Sequence, residues 1–248
     1  MGHHPLNTTA ATSPSPTGTA RFVATQTLLT LDSRHPFTAK SLIDAHDMHR
    51  TVMSGFPGWV DDGSPDARSQ MGVLSTWTID LRQARLNLVV QSSVPADWTS
   101  LPRAAMAEAP VTLTIDRTFR TGDRVDFRTV VNPTRSVRAP DSPKGTRGTR
   151  VAHTRPEHVK TWLMHRLQPP GEPTSVPNGV VRIGADADTE RLSLRMLPRV
   201  SSTHKDLRVA RAEIKGSLTV TNPTAFVAAL IQGIGHARAY SCGLILIR

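Results

Sequence analysis

Apolar residues recur along this chain with two periods. Residues 22–31 (FVATQTLLTL) form a β-rich run with partial alternation, whereas residues 40–54 carry helical spacing. Strand-like runs follow at 73–79 and 86–90. The pattern then predicts a short helix over 97–107, disturbed by Pro102, and strands at 111–115 and 125–131 around a Thr121-Gly122-Asp123 turn. Residues 135–148 (RSVRAPDSPKGTRG) read as either a linker or the tip of a long hairpin. A strand is expected at 149–153. Pro156 opens a helix reaching Leu167, since Pro suits a first helical turn. A Pro-rich loop covers 168–178, and the clearest of two or three later strands is 207–220. Asn222-Pro223 starts a helix that Gly233 stops, and 244–247 closes the chain as a buried strand.

Each half therefore runs strand, helix, strand, strand, helix, strand. That order predicts an α+β fold of two tandem ferredoxin-like (βαββαβ, RRM-like) domains. The expected division is an uncharged Thr/Ser/Pro/Ala tail over 1–20, read as disordered, a first domain over 21–134 and a second over 135–248. The chain has 248 residues, 38% of them hydrophobic, which suffices for a core. Its longest apolar run, 225–231, is far short of the ~20 residues of a membrane span. The first basic residue is Arg21, so a secretory signal is not expected. The single cysteine, Cys242, excludes an internal disulfide and fits a reducing compartment, here the cytoplasm.

Charge separates the halves. Residues 1–124 hold 11 basic and 11 acidic side chains, and residues 125–248 hold 19 and 9. The whole net charge of +10 thus lies in the second half, and it is densest between Arg128 and Arg166. Such one-sided density is the footprint of a polyanion, and nucleic acid fits better than a membrane because no apolar face with Trp or Phe accompanies it.

Two groups of residues carry candidate chemistry. In SLIDAHDMHRTVM, Ala45, Met48, Val52 and Phe56 fall on one helical face, and His46 and His49 lie on its shoulder. Imidazoles three residues apart reach a common point, as cleavage of RNA by general acid and base requires. Partial burial, plain exposure and a zinc pair are the competing readings. No HExxH pattern or acidic cluster accompanies them, so no metal and no cofactor are expected. The second group, QGIGHARAYSCG (232–243), joins the last helix to the last strand. Its glycines either bring backbone amides and Arg238 to a phosphate, or merely cap the helix at Gly233 and turn the chain at Gly243.

With these pieces placed, the chain resembles the CasE family, the CRISPR repeat-cleaving endoribonucleases of the type I-E Cascade complex. Five blocks carry the resemblance in order: DAHDMHRTVMSGFP, LNLVVQSSVPADW, VDFRTVVNPTRSV, TRVAHTRPEHVKTWLMHRL and IKGSLTVTNPTAFVAALIQGIGHARAYSCGLILIR. The resemblance implies two ferredoxin-like domains. It also implies cleavage of repeat hairpins in precursor CRISPR RNA without metal: a 2′-oxygen attacks the adjacent phosphate, leaving a 2′,3′-cyclic phosphate and a 5′-hydroxyl. The product would be retained alongside other Cascade subunits, with no membrane and no DNA contact required for RNA processing. His49 matches the family's catalytic histidine, with His46 assisting where the family often has Tyr. The sequence does not divide the acid and base roles between them. Arg135, Arg138, Lys144, Arg147 and Arg150 match the basic region that grips the stem, and Gly233, Gly235 and Arg238 the loop that approaches the backbone. His236, Arg238 and Ser241 stand where Pro, Lys and Gly are common. The alternatives are a non-catalytic RNA-binding subunit of a CRISPR or other ribonucleoprotein and, more weakly, a metal-dependent hydrolase using His46 and His49.

Overall fold

A computed structural model describes residues 18–60, 64, 66–138, 148–176 and 179–248. The first unit comprises β1 (Thr19–Asp32), α1 (Pro36–Ile43), α2 (Ala45–Met53), α3 (Ala67–Gln70), β2 (Leu74–Asp80), β3 (Arg85–Ser92) and β4 (Val111–Arg120). The second comprises β5 (Arg124–Val131), a hairpin of β6 (Thr134–Val137) and β7 (Thr149–Ala152), α4 (Pro156–Met164), β8 (Ala185–Asp186), β9 (Ser193–Ser202), β10 (Leu207–Val220), α5 (Pro223–Gln232) and β11 (Ile245–Ile247). The strands form antiparallel sheets ordered β2-β3-β1-β4 and β11-β5-β10-β8, with β9 also paired to β10. In both, the unit's first strand lies between its last two, as in a ferredoxin-like fold. Among the described residues no helix is long and apolar enough to cross a membrane.

β1 serves two cores, which explains its imperfect alternation. Phe22 and Ala24 point to one face and join the larger core, while Leu29 and Leu31 point to the other and join the smaller one. The smaller core is that of the first unit: Met48, Val52 and Phe56 pack against Leu86, Leu88 and Trp98. The larger core belongs to the second unit but reaches across to Phe22 and Phe119, and Phe119 meets Phe226 edge-to-face at 5.1 Å. Gln91 fastens the same junction: its Nε2 donates to the Leu230 carbonyl at 2.8 Å, and its Oε1 accepts from Gln26 at 3.0 Å. The sheet face of the first unit is thus covered by α5 of the second.

Several expectations are corrected. The helical run 40–54 is two helices, broken at Asp44. There the backbone is extended, and the carboxylate accepts the His46 and Asp47 N–H groups as the N-cap of α2. No α-helix forms over 97–107. Pro102, in the middle of that stretch, has no N–H to donate and disfavours a helical residue before it, and only a 3-10 turn, Arg103–Ala105, remains. Trp98 and Leu101 still plug the core from this loop.

β5, assigned from the sequence to the first domain, is an inner strand of the second sheet, between β10 and β11. The 121–123 turn is therefore the passage between sheets, fixed by Gly122 N–H to Val220 O and Val220 N–H to Asp123 O. The chain changes sheets there rather than at 134–135. Conversely, among the described residues β7 joins neither main sheet and pairs with β6 alone, so the strands on either side of the Pro- and Gly-rich segment form a hairpin. β1 begins at Thr19, ahead of the expected start. The remainder of the tail, 1–17, lies outside the described residues, as do residues 139–147.

Candidate active site

Because Asp44 caps α2, His46 falls in the first turn of that helix and His49 one turn later. Their ring centroids are 6.2 Å apart, and both side chains are half-buried. The other wall comes from the glycine loop of the second unit. There Arg238–Tyr240 form a single 3-10 turn held between two left-handed residues, Ala237 and Ser241. Tyr240 meets the His49 ring edge-on, centroids 6.3 Å apart. The Ser241 hydroxyl shares a buried hydrogen bond of 2.9 Å with that of Ser75 on β2, pinning the loop to the first sheet.

The glycines of this loop are required by packing. Gly233 ends α5 with a positive φ, and a Cβ there would press on the Gly243 carbonyl and Leu74. Its N–H is already given to Ala229 O. A Cβ at Gly235, also at positive φ, would strike the Trp162 ring. The helix-stop reading of Gly233 is thus realised directly, and both glycines also line the cleft described below.

Basic side chains continue from the histidines. Burial lowers the His49 pKa below the usual imidazole value, and His46 and Arg68 lower it further. Arg68 donates to the Val73 carbonyl and has its own pKa lowered by burial and by Arg238. His236 has its pKa lowered by burial and then by Arg150, Arg166 and Arg238, and His153 by burial and then by His158, Arg135 and Arg166. These mutual influences trace an unbroken line of basic groups from α2 to the hairpin. Beside it lies a cleft of about 1060 Å³ between the hairpin, α4 and the glycine loop. Among the described residues its lining carries four arginines and four histidines and no carboxylate. One of the four, Arg182, is paired with Glu172. Arg166 lies 3.6 Å over the Trp162 ring, and burial lowers its pKa to about 10, leaving it charged at neutral pH.

Of the residues singled out from sequence, Arg135, Gly233, Gly235 and Arg238 line the cleft together. Arg150 is exposed on β7 and acts on His236 from the hairpin side. Arg138 is exposed at the end of β6 and is absent from the cleft lining. Lys144 and Arg147 lie outside the described residues. Residues that the sequence reading passed over include Arg68, Arg166, His204 and the cleft histidines. Arg166 had a local signal, standing one turn after Trp162 with its guanidinium bonded to the Trp162 carbonyl. Tyr240 and His236 stood in the glycine loop without an assigned role. Among the described residues, no group of three or more His, Cys, Asp or Glu is arranged to hold a metal ion. Cys242 is fully buried, and burial pushes its thiol up to about 12, so it is no nucleophile.

A family model described as CRISPR associated protein matches residues 26–248. No curated protein matches the chain. Among solved structures, CRISPR endoribonuclease Cse3 bound to a 19-nucleotide RNA is 20% identical, with a TM-score of 0.66 over 92% of this chain and 99% of that one. Thermus thermophilus Cse3 with an RNA representing a pre-cleavage complex gives the same figures, 20% identity and TM-score 0.66 over 92% and 99%. Cas6e from Escherichia coli K-12 is 16% identical, with a TM-score of 0.57 over 90% and 98%. The likeness extends over both units and agrees with two tandem ferredoxin-like domains.

Proposed function

The chain belongs to the CRISPR-associated protein family, and from that premise we propose that it is an endoribonuclease that cuts repeat hairpins in precursor CRISPR RNA. One observation carries the reading. A half-buried imidazole pair stands against Tyr240 at one end of a line of basic groups, and that line leads to the hairpin along a cleft with no carboxylate among its described lining residues. An RNA stem is recognised by shape and phosphates, which suits arginine better than stacking aromatics. The relatives of like fold include Cse3 bound to RNA and a CRISPR RNA-guided surveillance complex, so RNA and the other subunits of such a complex are the proposed partners.

In this scheme the second unit, from β5 onward, grips the stem through Arg135, Arg150, Arg166 and Arg238, with Arg138, Lys144 and Arg147 adding to the grip. The first unit presents the imidazoles. With its pKa held below the ordinary value, His49 is neutral at pH 7 and able to accept the 2′-hydroxyl proton as the 2′-oxygen attacks phosphorus. The P–O5′ bond breaks, and the leaving oxygen takes a proton from an acid, the role left to His46. The products are a 2′,3′-cyclic phosphate and a 5′-hydroxyl, and no step calls for a metal. The hairpin product stays bound and carries the protein into its complex.

His49→Ala tests this reading. The rate of cleavage of a cognate repeat RNA is expected to fall about 10²–10⁴-fold while hairpin affinity survives. EDTA should leave the wild-type rate unchanged, and a deoxy substitution at the attacking nucleotide should abolish cutting. Cleavage by His49→Ala at the wild-type rate would remove the histidine from the mechanism. Tight binding without cleavage by the wild-type protein would make the chain an RNA-binding subunit only.

A further inference from the structure

The histidine pair on α2 has a third imidazole against it, contributed by the other unit. A single 3-10 turn, His204–Asp206, joins β9 to β10. The His204 ring stacks on His46, with centroids 4.5 Å apart and planes 18° from parallel. This is closer and flatter than the approach of His46 to His49, at 6.2 Å and 49°. The turn is also fastened to the root of α2. Asp44 Oδ2 accepts the Thr203 N–H at 3.2 Å and the Thr203 hydroxyl at 3.4 Å, while Oδ1 accepts the His46 N–H at 2.7 Å. The Ser202 hydroxyl accepts the His204 N–H at 3.1 Å. A hydrogen bond from that same hydroxyl, with those from the nearby backbone amides, lowers the Asp44 carboxyl to about 2. Asp44 is therefore ionised throughout the neutral range.

One carboxylate thus binds the backbone of His46 and the residue before His204, and the two rings meet face to face beyond it. An imidazole on a helix surface otherwise samples several staggered χ1 wells and a broad χ2. Placement within a few tenths of an ångström is what proton transfer demands.

We propose that His204 is a positioning residue: its ring fixes the rotamer of His46 and so sets where that imidazole stands against the scissile linkage. The proposal rests on the ribonuclease reading of the α2 histidines and gives the second unit a part in the chemistry besides its grip on RNA. His204 exchanges no proton in this role.

The test compares wild type, His204→Ala and His204→Phe, each as the full chain. Three quantities are measured: the single-turnover cleavage rate on a repeat hairpin, the affinity for a 2′-deoxy uncleavable hairpin, and the NMR signals of the His46 ring. His204 is exposed, so neither change should disturb the core, and thermal unfolding checks this. His204→Ala is expected to slow cleavage about tenfold, the scale of one aromatic pair, with affinity unchanged and the His46 signals shifted by loss of the ring current. His204→Phe is expected to restore both rate and signals. A wild-type rate in His204→Ala, an affinity loss that matches the rate loss, or no rescue by Phe overturns the proposal. If the wild-type protein cuts no repeat RNA, the ribonuclease reading fails, and the His46 signals decide the pairing alone. Signals unmoved in His204→Ala then overturn it, and shifted signals sustain it.

Discussion

At His49, burial and charge act in the same direction. Withdrawal from water disfavours the imidazolium, and His46 and Arg68 add repulsion, so the pKa lies below 6.5. A base of this kind is disabled by acid, not by alkali. The acid limb of kcat/KM, which reports the free enzyme, is therefore expected to have its midpoint below pH 6.5; a limb centred at or above 6.5 would contradict the assignment of His49 as base. The spacing of His46 and His49 was legible because it is local, three residues along one helix. Asp44 was not, since within an amphipathic pattern an aspartate reads as one more exposed position. Its capping role appears only when the extended backbone before α2 is seen. Arg68 and His204 left no trace in the sequence at all, because tertiary folding alone brings them to the site.

At the scale of elements, the hairpin of β6 and β7 and the glycine loop divide the basic surface between them. Arg150→Ala is expected to weaken RNA binding and to lower the slope of log affinity against log salt by about one unit, as is Arg238→Ala. An unchanged slope in a salt titration would take that arginine off the RNA face. The elements with strong end signals were legible: α4 starts at Pro156, α5 is capped by Asn222 and stopped by Gly233, and β10 matches its expected span. What alternation cannot convey is a strand's partner. β5 looks the same whether it closes the first sheet or opens the second, and the choice rests on the register of Arg124–Val131 against β10. The helix expected over 97–107 failed for a local reason, Pro102, which outweighed its apolar content.

For the whole molecule, the decisive fact is that one core is shared. Phe226 sits wholly buried against Phe119 of the other unit, so Phe226→Ala removes packing on both sides of the junction. The expected loss is about 3–5 kcal/mol in urea unfolding. The transition should remain single whether followed by tryptophan fluorescence or by circular dichroism, and two separated transitions would show that the units unfold independently. No sequence pattern announced this union, because Phe22 and Ala24 read as ordinary inward positions of their own sheet.

The double allegiance of β1 bears on how such a protein can be dissected. A break in the backbone at 121–123 would sever only a turn, yet each resulting piece would be left with a bare greasy flank where its neighbour had been. The two pieces are less like beads that can be unstrung than like halves of a clasp: apart, they tend to clump, and together in one tube they have every incentive to find each other again.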